Sequence, residues 1–145
     1  MNNLDRFISI QEKEYDVAFE EIKNGKKVNH WMWFIFPQIK GLGQTKTSVK
    51  YSIEDIYEAK LFLENDYLRG NLINICNELL KFDENDSIKI FGYVDSVKLR
   101  SSMTLFDFVI TYFDMDVDNV FTHVLEKYYG GEKDALTLNL VSKIR

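Results

Sequence analysis

Apolar residues recur every three or four positions along almost the whole of this chain, and that spacing constrains its fold more than any other feature. A helix turns once in about 3.6 residues, so such spacing gathers the apolar side chains on one stripe that must be covered. After a short N-terminal turn carrying Leu4, Phe7 and Ile8, the residues Tyr15, Ala18, Phe19 and Ile22 form one such stripe, and Gly25 stands where a glycine ends a helix. Ser52 with Asp55 resembles a cap before Ile56, Ala59 and Leu63, and Asn65 or Asp66 opens a stripe of Leu68, Leu72, Ile75, Cys76 and Leu79. Asp86 starts a short helix ended by Gly92. Asp95 is placed to cap a long one bearing Leu99, Met103, Phe106, Ile110 and Phe113. Phe121, Val124, Leu125 and Tyr128 follow, closed by Gly130 and Gly131, and Leu136, Leu140 and Ile144 mark a final segment. Alternation with period two is rare. Val109, Thr111 and Phe113 offer it, but a helical stripe runs through the same residues. The expected architecture is all-α, a compact single-domain bundle of roughly seven helices over residues 1–145.

A chain of 145 residues buries roughly 70% of its unfolded surface on folding. With 46% apolar residues it has the material for a dense core. The net charge is −5 and no long basic run occurs, so broad binding to duplex nucleic acid is not expected. Cys76 is the only cysteine and lies on an apolar stripe, which reads as a buried core thiol. One cysteine and two distant histidines, His30 and His123, make no metal-ligand set. Asp114, Asp116 and Asp118 have alternate spacing but lack the glycine of a calcium loop. No metal and no cofactor are therefore expected. The start, MNNLDRF, has no apolar signal core, and no stretch of about 18 apolar residues occurs. That predicts no membrane insertion and a cytoplasmic location.

Two runs stand out chemically. The first is HWMWFIFPQIKGLG, His30 to Gly43. Pro37 disfavours helical geometry at Phe36, so a short helix should end near Ile35. A helix apolar nearly all round should run through the middle of the domain. On a helical wheel His30, Trp33 and Phe34 share a face, and Gln38 adds a polar group that must find a partner if buried. The second run is DSVKLRSSMTLFDF, Asp95 to Phe108. Its structural reading is a helix whose small hydroxylated residues allow close packing. Its functional reading is an anion or sugar site, with charge from Lys98 or Arg100 and hydroxyls from Ser101, Ser102 and Thr104. Arg100 is also expected to pair with Asp107 or to stack its guanidinium.

The segments HWMWFIFPQ, GLG, KYSI, IFG, KLRSSMTLF and YYGG, with Asp134 and Thr137 close behind, resemble domain of unknown function family 1810 in sequence and in order. The resemblance covers nearly the whole chain. One departure is Ser52, where alanine is common in the family. The resemblance implies a compact, mostly helical bacterial protein and assigns no activity. Both chemically unusual runs coincide with its signature segments. The residues themselves point to a pocket for a small anionic, nucleotide-like ligand, with Trp33, Gln38, Lys98, Arg100, Ser101, Ser102 and Thr104 as binding groups. If a hydrolase-type reaction occurs there, His30 is the expected acid or base, because its pKa lies near neutrality. Two other function classes suit such a chain: a helical module that holds a partner peptide, and a binder of single-stranded nucleic acid by stacking. The acidic balance counts against the latter.

Overall fold

A computed structural model of the chain describes residues 3–143. Among these residues the chain forms nine helices: α1 (Asp5–Lys23), α2 (Met32–Ile35), α3 (Lys46–Lys50), α4 (Ile56–Glu64), α5 (Asp66–Leu80), α6 (Ser87–Phe91), α7 (Tyr93–Phe113), α8 (Val120–Tyr129) and α9 (Ala135–Ser142). No strand forms among the described residues. The extended pairing there is a bridge between Ile39 and Ile53. The all-helical expectation therefore stands, but the number exceeds seven. The short helices α2 and α6 fall where their end signals placed them, and the helix not anticipated is α3, whose five residues are too few to display a periodic stripe. The two N-terminal stripes are one helix of 19 residues, in which Phe7, Gln11, Ala18 and Ile22 face the core.

Short polar side chains start most helices. Asp55, Asn65, Asp86, Asn119 and Asp134 each accept a backbone N–H from the first turn that follows, and Thr45 does the same for α3. These bonds satisfy donors that a helix leaves unpaired at its start. The long helix α7 begins differently. Gly92 precedes it with φ +80°, and Asp95 lies inside its first turn rather than before it.

The central element is α7, not the tryptophan-rich segment. It packs against α2, α4, α6, α8 and α9, and every residue from Ser101 to Asp107 is buried. Phe106 lies between Phe62 of α4 and Phe121 of α8, with ring centroids 5.4 and 5.5 Å away. On the other side α1 packs against α5 and α2. Cys76 of α5 is buried, 3.7 Å from the sulfur of Met103, and burial pushes its thiol well above the ordinary range. The last stripe needs correction. Leu136 is exposed, and Thr137 and Val141 are the buried residues of α9. Ile144 lies outside the described residues.

Candidate functional site

The segment from Trp31 to Ile39 is buried except for the half-exposed Trp33. Its entry is pinned by Glu21 at the end of α1, whose carboxylate accepts the Trp31 indole N–H at 2.8 Å. The helix starts only at Met32 and ends at Ile35, one residue before the Phe36–Pro37 pair. Beyond it the Gln38 carbonyl accepts the Ile53 N–H at 2.8 Å, and the Ile53 carbonyl accepts Lys40 N–H at the same distance. Gln38 is thus held by its backbone, and the residue is 6% exposed.

A cleft of about 320 Å³ opens beside it. One wall is Trp33, Gln38 and Leu42. The opposite wall is a single face of α7, made by Tyr93, Val94, Val97, Lys98 and Ser101, and the start of α9 closes it with Asp134 and Leu136. The α7 positions fall together because residues four apart are separated by only about 40° around a helix. Tyr93, Val94 and Leu136 form an unusually bare apolar rim, 69%, 64% and 64% exposed.

Charge at the cleft is organised around Asp95. Its carboxylate meets Lys27 at 2.8 Å and Lys98 at 3.2 Å. Burial alone would push this carboxyl up; hydrogen bonding and attraction from Lys27, then Lys98, outweigh it and hold the group below the usual carboxylate range. Each lysine also lies over an indole. The Lys27 ammonium is 5.0 Å from the Trp31 ring and that of Lys98 is 4.1 Å from the Trp33 ring. Trp33 is therefore a platform for a cation on one face, and that face does not offer itself to a stacked base. Its far edge is fixed by Gly43, where an added Cβ would lie 3.1 Å from the ring.

Two buried polar groups on the cleft have unused capacity. The Gln38 Nε2 amide donor is buried and has no hydrogen-bond acceptor. Asp134 is 7% exposed, and its Oδ2 accepts both the Thr137 N–H at 2.9 Å and the Thr137 hydroxyl at 2.6 Å. Its Oδ1 takes no hydrogen bond from the described residues. The Ser101 hydroxyl donates to the Val97 carbonyl at 3.2 Å and keeps its acceptor lone pairs.

Trp33, Gln38, Lys98 and Ser101 thus surround one cleft, and four other candidates from the sequence stand apart. His30 is exposed and does not line the cleft. It precedes the first helical residue, so the helical-wheel relation to Trp33 does not apply. Arg100 follows Lys98 by two residues, about 200° around the helix, and points elsewhere. Its guanidinium lies 5.8 Å from the Tyr129 ring, with Nε buried and unpaired. Asp107, its expected partner, instead meets Lys133 at 3.0 Å and the Asn119 amide at 2.8 Å. Ser102 is fully buried, its hydroxyl unpaired. Thr104 is fully buried too; its hydroxyl donates to Arg100 carbonyl at 2.8 Å and accepts the Asp134 N–H at 2.9 Å, so it positions Asp134 from behind.

A family model described as "Protein of unknown function (DUF1810)" matches residues 1–141. The chain belongs to this family. A crystal structure of the conserved hypothetical protein Rv1873 from Mycobacterium tuberculosis is similar, with 37% identity, a TM-score of 0.89 and 96% of each chain covered. Curated proteins yielded no match. The family's description assigns no chemistry. No helix among the described residues is long and apolar enough to cross a membrane.

Sequence reasoning missed Leu42, Tyr93, Val94, Val97, Asp134 and Leu136 as lining residues. A signal existed for three of them: Tyr93, Val94 and Val97 share the Lys98–Ser101 face of α7 by spacing alone. Leu136 looked like core because it matched a stripe, and nothing local distinguishes an apolar rim from an apolar core.

Proposed function

We propose that this protein binds a small molecule in the Trp33–Lys98 cleft, and that the ligand pairs a compact apolar body with an acidic group such as a carboxylate or phosphate. The observation that carries this reading is the Gln38 amide, a buried donor with no acceptor, on a residue that lines the same cleft as Lys98. Leaving such a donor unsatisfied costs about 1–3 kcal/mol, and a ligand oxygen that reaches it from the cleft removes that cost. The apolar body fits Leu42, Val94, Val97 and Leu136. A cleft of about 320 Å³ is at the small end of ligand sites, which span roughly 300–1,000 Å³.

Binding is favoured over hydrolysis. The cleft brings no nucleophile against a base, and His30, the expected acid or base, lies outside it. The bare rim of Tyr93, Val94 and Leu136 supports a second reading, in which a partner peptide lays an apolar side chain into the cleft.

The deciding experiment is a thermal-shift screen with carboxylic acids, amino acids, nucleotides and sugar phosphates, repeated on Lys98→Ala and Gln38→Leu. At least one class should raise the wild-type Tm, and both variants should lose the shift. A screen with no hit, or hits that survive both substitutions, would reject the cleft as a small-molecule site.

A further inference from the structure

The cleft carries a second polar group, opposite in sense to Gln38: an acceptor that no protein donor uses. Asp134 is a carboxylate nine-tenths buried at the start of α9. Oδ2 is bonded to Thr137, Oδ1 takes no hydrogen bond from the described residues, and the residue lines the same cleft as Gln38 and Lys98. Oδ1 is not among the fully buried unpartnered atoms, so it keeps solvent contact and is open to a donor from a ligand. The two groups together ask for a ligand with an acceptor at one end of its polar head and a donor at the other.

Charge narrows the class further. Lys98 is opposed by Asp95, which Lys27 shares, and Asp134 adds a second carboxylate to the cleft. Two lysines therefore face two carboxylates. A nucleotide or sugar phosphate would bring about two negative charges against the buried Asp134, in a site without surplus positive charge to receive them. A zwitterion meets every group at once. Its carboxylate takes the hydrogen bonds of Gln38 Nε2 and Lys98, its ammonium donates to Asp134 Oδ1, and its side chain lies against Leu42, Val94, Val97 and Leu136.

Resting on the small-molecule reading above, we infer that the cleft's occupant is a small zwitterion with an apolar side chain, of the α-amino-acid type. Asp134 is then a ligand-binding residue as well as a helix cap. Thr104 is a positioning residue, because its hydroxyl holds the Asp134 N–H from the core side at 2.9 Å.

The test uses the full chain and three matched probes in isothermal titration calorimetry: L-phenylalanine, 3-phenylpropanoate, which lacks the ammonium, and 2-phenylethylamine, which lacks the carboxylate. L-Phenylalanine should bind at least tenfold more tightly than either. Asp134→Asn retains an oxygen to cap α9, so its fold should persist, verified by an unchanged helical far-UV spectrum. That variant should bind L-phenylalanine at least tenfold more weakly, with affinity for 3-phenylpropanoate unchanged or improved. Gln38→Leu should weaken L-phenylalanine and 3-phenylpropanoate alike. If 3-phenylpropanoate binds as tightly as L-phenylalanine, or Asp134→Asn weakens both equally, the zwitterion inference fails while the acidic-ligand reading survives. If none of the three probes binds, the zwitterion inference fails, and the small-molecule reading falls only if the broader screen is also empty.

Discussion

Glu21 carries more local order than any other carboxylate outside the cleft. It accepts the Val28 N–H at 2.7 Å, the Asn29 N–H at 2.9 Å, the Asn29 amide at 2.5 Å and the Trp31 indole at 2.8 Å, and so straps the α1–α2 connection onto α1. Burial would raise this carboxyl; the backbone donors of Val28 and Asn29, then the side chains of Trp31 and Asn29, outweigh it and lower it. A carboxyl lowered by folding contributes stability above its ordinary range and loses it as the pH falls toward the folded value. Urea midpoints of wild type and Glu21→Gln should therefore differ most near neutrality and converge in acid. A difference independent of pH would show that the charge is not what holds the strap. Two glycines make a second residue-scale contrast. A Cβ at Gly43 would lie 2.6 Å from Ser48 Cβ and Oγ and 3.1 Å from Trp33, whereas at Gly70, inside α5, nothing lies within 4 Å. Gly43→Ala should cost about 1–3 kcal/mol by overpacking and alter the tryptophan fluorescence. Gly70→Ala should be neutral or stabilising by up to about 1 kcal/mol, because alanine is the better helix former. Equal denaturation midpoints for the two variants would contradict the packing described around Trp33. The sequence flagged Trp33 and Gln38 as unusual. It could not show that Gln38 is left without an acceptor, because that depends on which residues surround it in space.

At the scale of elements, the capping residues were the most legible part of the chain. Asp55, Asn65 and Asp86 each accept a first-turn N–H, as short polar residues before an apolar stripe should. Asn65→Ala should cost about 0.5–2 kcal/mol, read as a lower Tm, while Asn74→Ala on the exposed face of α5 should change little. Asp95 looked equally like a cap and is not one. Gly92, with its positive φ, ends α6 and begins α7 without a spacer, which places Asp95 inside the helix and frees its carboxylate to join Lys27 to Lys98. Joining two helices through one glycine is a matter of backbone direction, which side-chain periodicity does not record. The short helices α2 and α6 were legible through their end signals, Pro37 for one and Asp86 with Gly92 for the other, whereas α3 escaped because a stripe needs at least two turns to be distinguished from a cluster.

Across the whole molecule, α7 carries an aromatic run between α4 and α8. Phe106 is fully buried between Phe62 and Phe121, whereas His123 is exposed on α8. Phe106→Ala should cost roughly 3–5 kcal/mol, a large part of the stability of a domain this size, while His123→Ala should leave the denaturation midpoint nearly unchanged. Comparable midpoints would mean that α7 is not the central packing element. The sequence alone determined that the chain is helical, where most longer helices lie, and which faces of α4, α5 and α8 are covered. Those properties follow from local periodicity and caps, which neighbouring residues carry in full. Only the tertiary structure decided that α7 rather than the tryptophan segment is central, and that Lys98 and Arg100 serve different surroundings. It alone brought Asp134, from 33 residues beyond Ser101, into the same cleft as Gln38. The physical reason is that apolar stripes are interchangeable partners. Many pairings bury similar area, and the one adopted is chosen by side-chain shape and by buried polar bonds between distant residues, such as Thr104 with Asp134 and Glu21 with Trp31.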